Sequence, residues 1–559
     1  MLLRHLARRA PRLTCRCLTT DAGTKPYYIT TPIFYPNADP HIGHLYSLVV
    51  ADIFARYMQI RQPGIQVELL TGTDDHGLKI QKAAHAKGLA PDVFCDQLSD
   101  RFRQLADKAQ ITHTRFMRTT RQEHHETVES VWRQLDAQGL IYKSNYSGWY
   151  SITDECFYTN DQVTSVSDTN SSISNSNPIV NSNDPPPSAT KISRETGSPV
   201  EWYSEENYML RLSPFQLSLL AHYTNKSQIF PPQHHRDIVH ILSSGPLEDL
   251  SISRPRSRLE WGVPVPGDPE QTVYVWFDAL LVYLSGIGYP WDADMGRKCG
   301  WPVNLQIVGK DILRFHAIYL PTILLALGLP LQKQLLAHAH WTVEQKKMSK
   351  SCGNVADPFE AIDMFGADAV RYYLARVGGR FRDDVDWSQR QLEKHTKEIQ
   401  SMLGNLFLRT TSVAMQGRIL GGPPRTFEEI LRDEAERSPN RLLFHAVLDL
   451  PDKFQAYMDK LEISDALAAI VDILRLANKT LNETVPWKKS NTPADAYAAY
   501  AITLETLRVT GICLQPFIPG AAWKLLFALG VDSERRDWKS IRVDMGNCGV
   551  GKVVGVRLF

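Results

Sequence analysis

Apolar positions along the chain change their spacing several times, and each change marks an element. From Leu45 to Tyr57 they recur three and four residues apart (Leu45, Leu48, Val49, Ile53, Tyr57), the spacing of one buried helix face. Just before them, Thr31 to His44 reads TPIFYPNADPHIGH: an extended apolar-aromatic run, a turn at Asn37-Ala38-Asp39, then His41-Ile42-Gly43-His44. The order is strand, turn, helix, with two imidazoles and a glycine on the helix's first turn. Such a helix start offers unpaired N–H groups and the positive end of a dipole, both suited to a phosphate. Gly43 admits a ligand close to the backbone, and the histidines can donate to anionic oxygens. The same two side chains could equally serve as plain caps.

Val67-Glu68-Leu69-Leu70 reads as a short buried strand running into Thr71-Gly72-Thr73-Asp74-Asp75-His76-Gly77. Ligands of open parallel sheets bind at the carboxyl ends of strands, so this acidic turn either caps the helix near Leu78 or holds an ammonium group. Thr272–Ala279 (TVYVWFDA) and Leu305–Ile312 (LQIVGKDI) read as further strands, the second with Gly309 at its carboxyl end; Phe315 and His316 follow on a helix. From about residue 396 the pattern turns helical. Ile463, Ala466, Leu467, Ile470, Ile473, Leu474, Ala477 and Leu481 keep one apolar stripe, with Ser464 or Asp465 as the expected cap. Pro486 stops that helix and leaves Trp487 directly after it. Val553–Phe559 reads as a strand-like tail. The expected fold is an α/β, Rossmann-like parallel-sheet domain with an insertion, followed by an all-α bundle.

Composition adds boundaries. The 559 residues suit three or four domains, and 43% hydrophobic with 22% charged residues is ordinary for a globular chain. No apolar run reaches the length of a membrane span. Residues 1–20 hold five arginines (Arg4, Arg8, Arg9, Arg12, Arg16) and no acid, the composition of an organellar transit peptide. Without them the formal net charge drops by five from +1, to about −4, so RNA would need a local patch rather than a basic surface. Ser165–Thr190 is mostly Ser, Asn, Asp and Pro, a disordered or loop composition expected to make no RNA contact. Eight cysteines fit neither a disulfide framework nor a zinc knuckle; the one close pair, Cys15 and Cys17, sits in the basic leader. The resulting division is 1–20 transit peptide, 21–145 first half of the α/β domain, 146–262 insertion, 263–340 second half, 341–395 a basic loop and short α/β segment, and 396–559 helical domain.

That basic loop is Lys347-Met348-Ser349-Lys350-Ser351. HIGH and KMSKS together resemble the two signatures of the class I aminoacyl-tRNA synthetases. With GTDDHG, Ile252-Ser253-Arg254, Trp261-Gly262-Val263-Pro264, YVWFDA and GKDI in order, the chain resembles the methionyl-tRNA synthetases, mitochondrial type, from about Tyr27 to Trp387 and more weakly through the helical domain. The resemblance implies methionine activation with ATP and Mg²⁺, then transfer to tRNA(Met), by a monomer in the mitochondrial matrix. It implies His41, His44, Lys347 and Lys350 as catalytic, with Gly43, Gly309, Asp311 and Ser349 also at ATP. It implies a methionine pocket of Ile33, Tyr35, Trp276, Ala279, Leu280, Tyr283, Ile312 and His316, with Asp74 for the ammonium and Arg254 for the carboxylate. Apolar and aromatic walls with one phenol and one imidazole suit a polarizable thioether. Leu280 stands where some relatives have proline. Trp487, with Asn405 and Arg409, would meet the anticodon. Ser151 stands where relatives commonly carry a zinc-binding cysteine and Cys156 is alone, so no structural zinc is expected. The short insertion argues against a leucyl-type editing enzyme, the missing metal ligands against a cysteinyl one, the long helical domain against a smaller HIGH-bearing nucleotidyltransferase, and intact His41, His44, Lys347 and Lys350 against an inactive RNA-binding module.

Overall fold

A computed structural model describes residues 24–152, 156–158, 163–165, 191–194, 197–348, 354–419, 425–546, 553 and 556–559. The expected transit peptide, most of the Ser/Asn-rich segment, and Ser349 and Lys350 lie outside the described residues, as do the side chains of Lys347 and Cys156.

Six parallel strands form the central sheet: β1 (Tyr27–Thr30), β2 (Val67–Thr73), β3 (Arg115–Arg118), β4 (Ile229–Phe230), β5 (Leu305–Gly309) and β6 (Leu335–His338). Their spatial order is β3-β2-β1-β5-β6-β4. Every residue of β2, β5 and β6 is buried, as expected for strands covered on both faces, which is why they read as runs rather than alternations. From β1 the chain steps outward to β2 and β3, then returns to the other side of β1. That reversal opens a crevice at the carboxyl ends of β1 and β5. Helix α1 (Ile42–Arg61) leaves the crevice and packs on the sheet, burying Leu45, Leu48, Val49, Ile53 and Tyr57 as their spacing predicts.

Two sequence expectations change. Of the expected TVYVWFDA strand only Thr272 and Val273 are extended, as the end of a strand Asp268–Val273; Val275–Leu280 forms a short helix, α2. The helical turn places Trp276, Ala279 and Leu280 at i, i+3 and i+4, on one face. The insertion also starts earlier and is interrupted. Its long hairpin pairs Ile141–Ser151 with Pro199–Leu210, and β4, inside the expected 146–262 range, returns to the edge of the parallel sheet.

In the second body, α3 (Ala367–Gly378) leads to the long helices α4 (Pro439–Asp459), α5 (Ile463–Thr484) and α6 (Pro493–Leu514). The α5 stripe is buried except for a half-buried Ile473. Neither expected cap works as one: Glu462 holds the cap position, Ser464 donates to the Arg376 carbonyl (2.8 Å), and Asp465 faces Arg380 (3.5 Å). The helix ends at Thr484, and Val485, denied the right-handed region by Pro486, turns left-handed at φ 42°. Residues 556–559 form no strand; Leu558 is buried and its carbonyl accepts from Lys524 (3.2 Å).

Both bodies meet at one buried cation. Arg371 of α3 is fully buried; its Nη2 lies 2.6 Å from Asp52 Oδ2 on α1. It also donates to the carbonyls of Pro516 (2.7 Å), Phe517 (3.1 Å) and Ala109 (3.2 Å). Asp52 accepts further from Arg56 Nε (2.7 Å) and from the Thr112 amide and hydroxyl (2.7 and 2.6 Å). Burial alone would raise the Asp52 carboxyl, but two guanidinia and Thr112 overcome it and hold it below the ordinary carboxylate range. Truncating one partner strands the other groups without water, so Arg371→Ala should cost about 3–5 kcal/mol. Urea denaturation followed by circular dichroism checks this; a loss under about 1 kcal/mol would make the cluster incidental.

Candidate functional site

The crevice holds a cavity of about 760 Å³, within the usual range for small-molecule sites of about 300–1,000 Å³. On one side stands the start of α1. His41 is the N-cap: its Nδ1 accepts from the Gly43 amide (3.0 Å), while His44 Nδ1 accepts from the His41 amide (3.1 Å). Their rings stack at 3.8 Å. Because each Nδ1 accepts, each neutral ring carries its hydrogen on Nε2. Satisfying the helix end therefore fixes the tautomer that leaves Nε2 as a donor. Gly43 is needed for a steric reason as well: a Cβ there would lie 2.9 Å from His41 Cε1.

At the sheet's edge, Gly309 ends β5 and Asp311 follows; both line the cavity, and a Cβ on Gly309 would meet Asp311 Oδ1 at 2.6 Å. His340 Nε2 stands 3.7 Å from Asp311 Oδ1. His338, at the end of β6, donates from Nδ1 to the Ala339 carbonyl (2.9 Å) and accepts from Ser47 at Nε2 (2.8 Å). Burial lowers its pKa to about 4, so it is neutral.

The other side is apolar. Ile33, Trp276, Ala279, Leu280 and Ile312 converge there with Tyr35, Tyr283 and His316. His316 donates from Nδ1 to the Ile312 carbonyl (2.9 Å), which makes Nε2 the acceptor for the Tyr283 hydroxyl (2.8 Å). Burial lowers His316 to about 4 and pushes the Tyr283 phenol up. This end thus presents a neutral, mutually oriented phenol–imidazole pair among aromatic walls. Phe315, passed over as a site residue in the sequence reading, stacks on Trp276 at 3.9 Å and completes the wall. Its adjacency to His316 was the available signal. His338 and His340, spaced by one residue at a strand end, were another.

The two acids after β2 separate cleanly. Asp75 is bound by Arg118 Nε (2.6 Å), Thr120 (2.9 Å) and Ser99 (3.2 Å). Asp74 lines the cavity. Neither caps the helix Leu78–Ala86, whose cap is Gly77 with no side-chain bond. Arg254, expected at the methionine carboxylate, does not line the cavity. Its Nη1 donates to Ser251 (2.8 Å) and the Ser253 carbonyl (2.6 Å), and it sits beside Glu205 (3.6 Å), with the Tyr274 ring 4.2 Å from its guanidinium. Tyr274 lines both this niche and the main cavity, so a ring intervenes. The basic loop enters at the rim, where buried Met348 lines the cavity and the Lys347 backbone pairs with Thr342.

Beneath the apolar wall, Asp278 of α2 is fully buried between His76 Nδ1 (2.6 Å) and His124 Nε2 (2.7 Å), and His124 Nδ1 meets Ser285 Oγ (2.8 Å). Burial opposes its charge, but the histidines prevail and hold the carboxyl well below the usual range. Tyr35 donates to the His76 carbonyl (2.8 Å), so the network joins the Asp74 turn to the helix bearing Trp276 and Ala279. Among the described residues no three His, Cys, Asp or Glu side chains group as a metal site.

In the helical body, Asn405 and Arg409 share the helix Asn405–Thr410. Arg409 lies 5.3 Å from the half-buried Trp487 ring and donates to Asn482 (2.7 Å). The three residues expected at an anticodon thus form one surface patch, with Asn405 exposed.

Comparison with known proteins agrees with this geometry. Residues 27–411 match the family of class I tRNA synthetases (M), and residues 434–553 match the anticodon binding domain of methionyl tRNA ligase. The mitochondrial methionine–tRNA ligase of Homo sapiens is 39% identical over 92% of this chain and 86% of its own length. The probable mitochondrial ligase of Neurospora crassa is 39% identical over 95% of this chain and 85% of its own. The crystal structure of Mycobacterium tuberculosis methionyl-tRNA synthetase bound by methionyl-adenylate superposes with a TM-score of 0.83 at 34% identity, covering 95% of this chain and all of that one. The parallel sheet with its switch-point cavity, the helical second body and these matches over nearly the whole length agree: the chain belongs to the class I methionyl-tRNA synthetases of mitochondria.

Proposed function

We propose that the cavity forms methionyl-adenylate from methionine and ATP and then passes the methionyl group to the terminal ribose of tRNA(Met) in the mitochondrial matrix, the enzyme acting as a monomer. The observation that carries this reading is the pair of Nε2 donors at the start of α1, set across one cavity from the neutral Tyr283–His316 pocket. In the first step a methionine carboxylate oxygen bonds to the α-phosphorus and pyrophosphate leaves with the electron pair. The substrate brings its own nucleophile, so the protein aligns groups and stabilises charge. His41 and His44 donate to phosphate oxygens, Gly309 and Asp311 seat the nucleoside, and Lys347, Ser349 and Lys350 reach the outer phosphates when their loop closes. Mg²⁺ enters with the nucleotide as part of the substrate. Asp74 holds the ammonium and the Tyr283–His316 pair faces the thioether. Arg254 is left out, because it does not line the cavity and its Nη1 is held by Ser251 and the Ser253 carbonyl. In the second step the ribose oxygen bonds to the acyl carbon, the acyl–phosphate bond breaks, AMP leaves with the electron pair, and the hydroxyl proton passes to AMP phosphate. At the far end, Trp487 stacks on an unpaired anticodon base, with Arg409 and Asn405 beside it.

Pyrophosphate exchange into ATP, run with each amino acid alone, should proceed with methionine only and be lost in Lys350→Ala. Exchange with another amino acid would overturn the pocket assignment. Asp278→Asn keeps the shape but weakens the link between the Asp74 turn and α2, so KM for methionine should rise about tenfold or more while KM for ATP stays within about twofold. Equal rises in both would reduce Asp278 to general stability. Trp487→Ala should weaken tRNA binding by about 1–3 kcal/mol, or roughly 5- to 150-fold, with exchange unchanged; a filter-binding titration within twofold of the parent would instead make Trp487 a packing residue.

A further inference from the structure

The hairpin that brings the basic loop to the cavity rim folds against its own sequence. Trp341–Val343 and Lys346–Lys347 run antiparallel, with Thr342 opposite Lys347 and Val343 opposite Lys346. Only Glu344 and Gln345 are left to make the turn. Both have positive φ, 53° and 60°, and among the described residues they are the only consecutive non-glycine pair so placed. Positive φ at both central positions is the type I′ geometry, which Asn-Gly adopts readily and which crowds the Cβ of Glu or Gln. Local preference opposes this turn, so a contact from elsewhere has to hold it.

That contact is Asp386. Its Oδ1 accepts from the Gln345 amide (2.8 Å), inside the turn, and from the Thr342 hydroxyl (2.5 Å), on the strand before it. The backbone on either side grips the same strand: the Val385 amide donates to the His340 carbonyl (2.9 Å) and the Trp387 amide to the Thr342 carbonyl (2.8 Å). Two residues earlier, Asp384 accepts from the His340 amide (2.8 Å) and from Lys310 (2.6 Å), which follows Gly309 at the end of β5. Residues 384–387 thus fasten the first strand of the hairpin to the sheet end. The second strand pairs with the first alone, so the turn decides where the Lys347 backbone returns to the rim, beside the cavity-lining Met348. Neither Asp384 nor Asp386 lines the cavity. Removing the Asp386 carboxylate leaves the backbone bonds in place and releases the turn.

We propose that Asp386 is a positioning residue for adenylate formation, holding the Glu344–Gln345 turn and with it the strand from which Lys347 reaches the outer phosphates of ATP. This role rests on the reading of Lys347 given above and deepens it. In pyrophosphate exchange, Asp386→Ala should lower kcat/KM for ATP at least fivefold. KM for methionine, and the Kd of methionine measured by calorimetry without ATP, should stay within twofold. The doubly substituted turn, Glu344→Asn with Gln345→Gly, takes the type I′ geometry unaided. It should exchange within twofold of the parent, and adding Asp386→Ala to it should then cost less than twofold. A smaller fall in Asp386→Ala alone overturns the proposal. A loss of twofold or more that persists in the substituted turn also overturns it, giving Asp386 a role unrelated to the turn. So does a loss in the substituted turn with Asp386 intact, or a methionine Kd that rises together with the ATP effect. Failure of the parent to exchange with methionine instead removes the reading on which the proposal rests.

Discussion

The structure turns on a single carboxylate inside helix α1. Asp52 lies about ten residues, roughly 15 Å of helix rise, from the histidines that begin the same helix. It is fully buried and binds Arg371, whose remaining donors hold the carbonyls of Pro516 and Phe517 at the end of α6. One ionic cluster thus ties the helix that begins at His41 and His44 to the bundle bearing the Trp487 patch. A buried pair of this kind adds little net stability over a well-packed apolar one. Its consequence is geometric: guanidinium donors have fixed directions, so the two bodies meet in one orientation.

The opposite end of α1 uses the same economy of groups. A helix start must satisfy its first amides, and here two imidazoles do so through Nδ1. An Asp cap would satisfy the amides equally well and leave no donor behind. Histidine has a second ring nitrogen, so one side chain makes the cap and still presents an N–H donor. The Tyr283–His316 pair repeats the logic with the opposite tautomer: backbone binding at Nδ1 leaves Nε2 as acceptor, and burial keeps the ring neutral, so the pocket offers a thioether polarity without charge.

Much of this was legible in the sequence. Periodicity gave α1 and α5 with their buried faces, and the family resemblance named Ile33, Asp74, Gly309, Ile312 and His316, all of which line one cavity because they follow the ends of neighbouring strands. What failed depended on distant partners. TVYVWFDA carries a strand's composition, yet its second half is helical, with Asp278 drawn between His76 and His124 from other parts of the chain. Ser464 and Asp465 look like caps, but α3 residues claim them both or stand beside them, and no local pattern reveals that.

The arginines make the same point about function. In sequence, Arg254 stands in a recognisable element and Arg314 is one charge in a helix-like run. In the fold, Arg254 lies outside the cavity, with Nη1 held by Ser251 and the Ser253 carbonyl and with Glu205 and three aromatic rings around it, whereas Arg314 lines the cavity; the Nε of each finds no acceptor among the described residues. A guanidinium gains from an anion only where the anion can reach it. Residue identity sets what a side chain is able to bind; the partners it already has decide whether it is available to do so, and that second fact is written only in three dimensions.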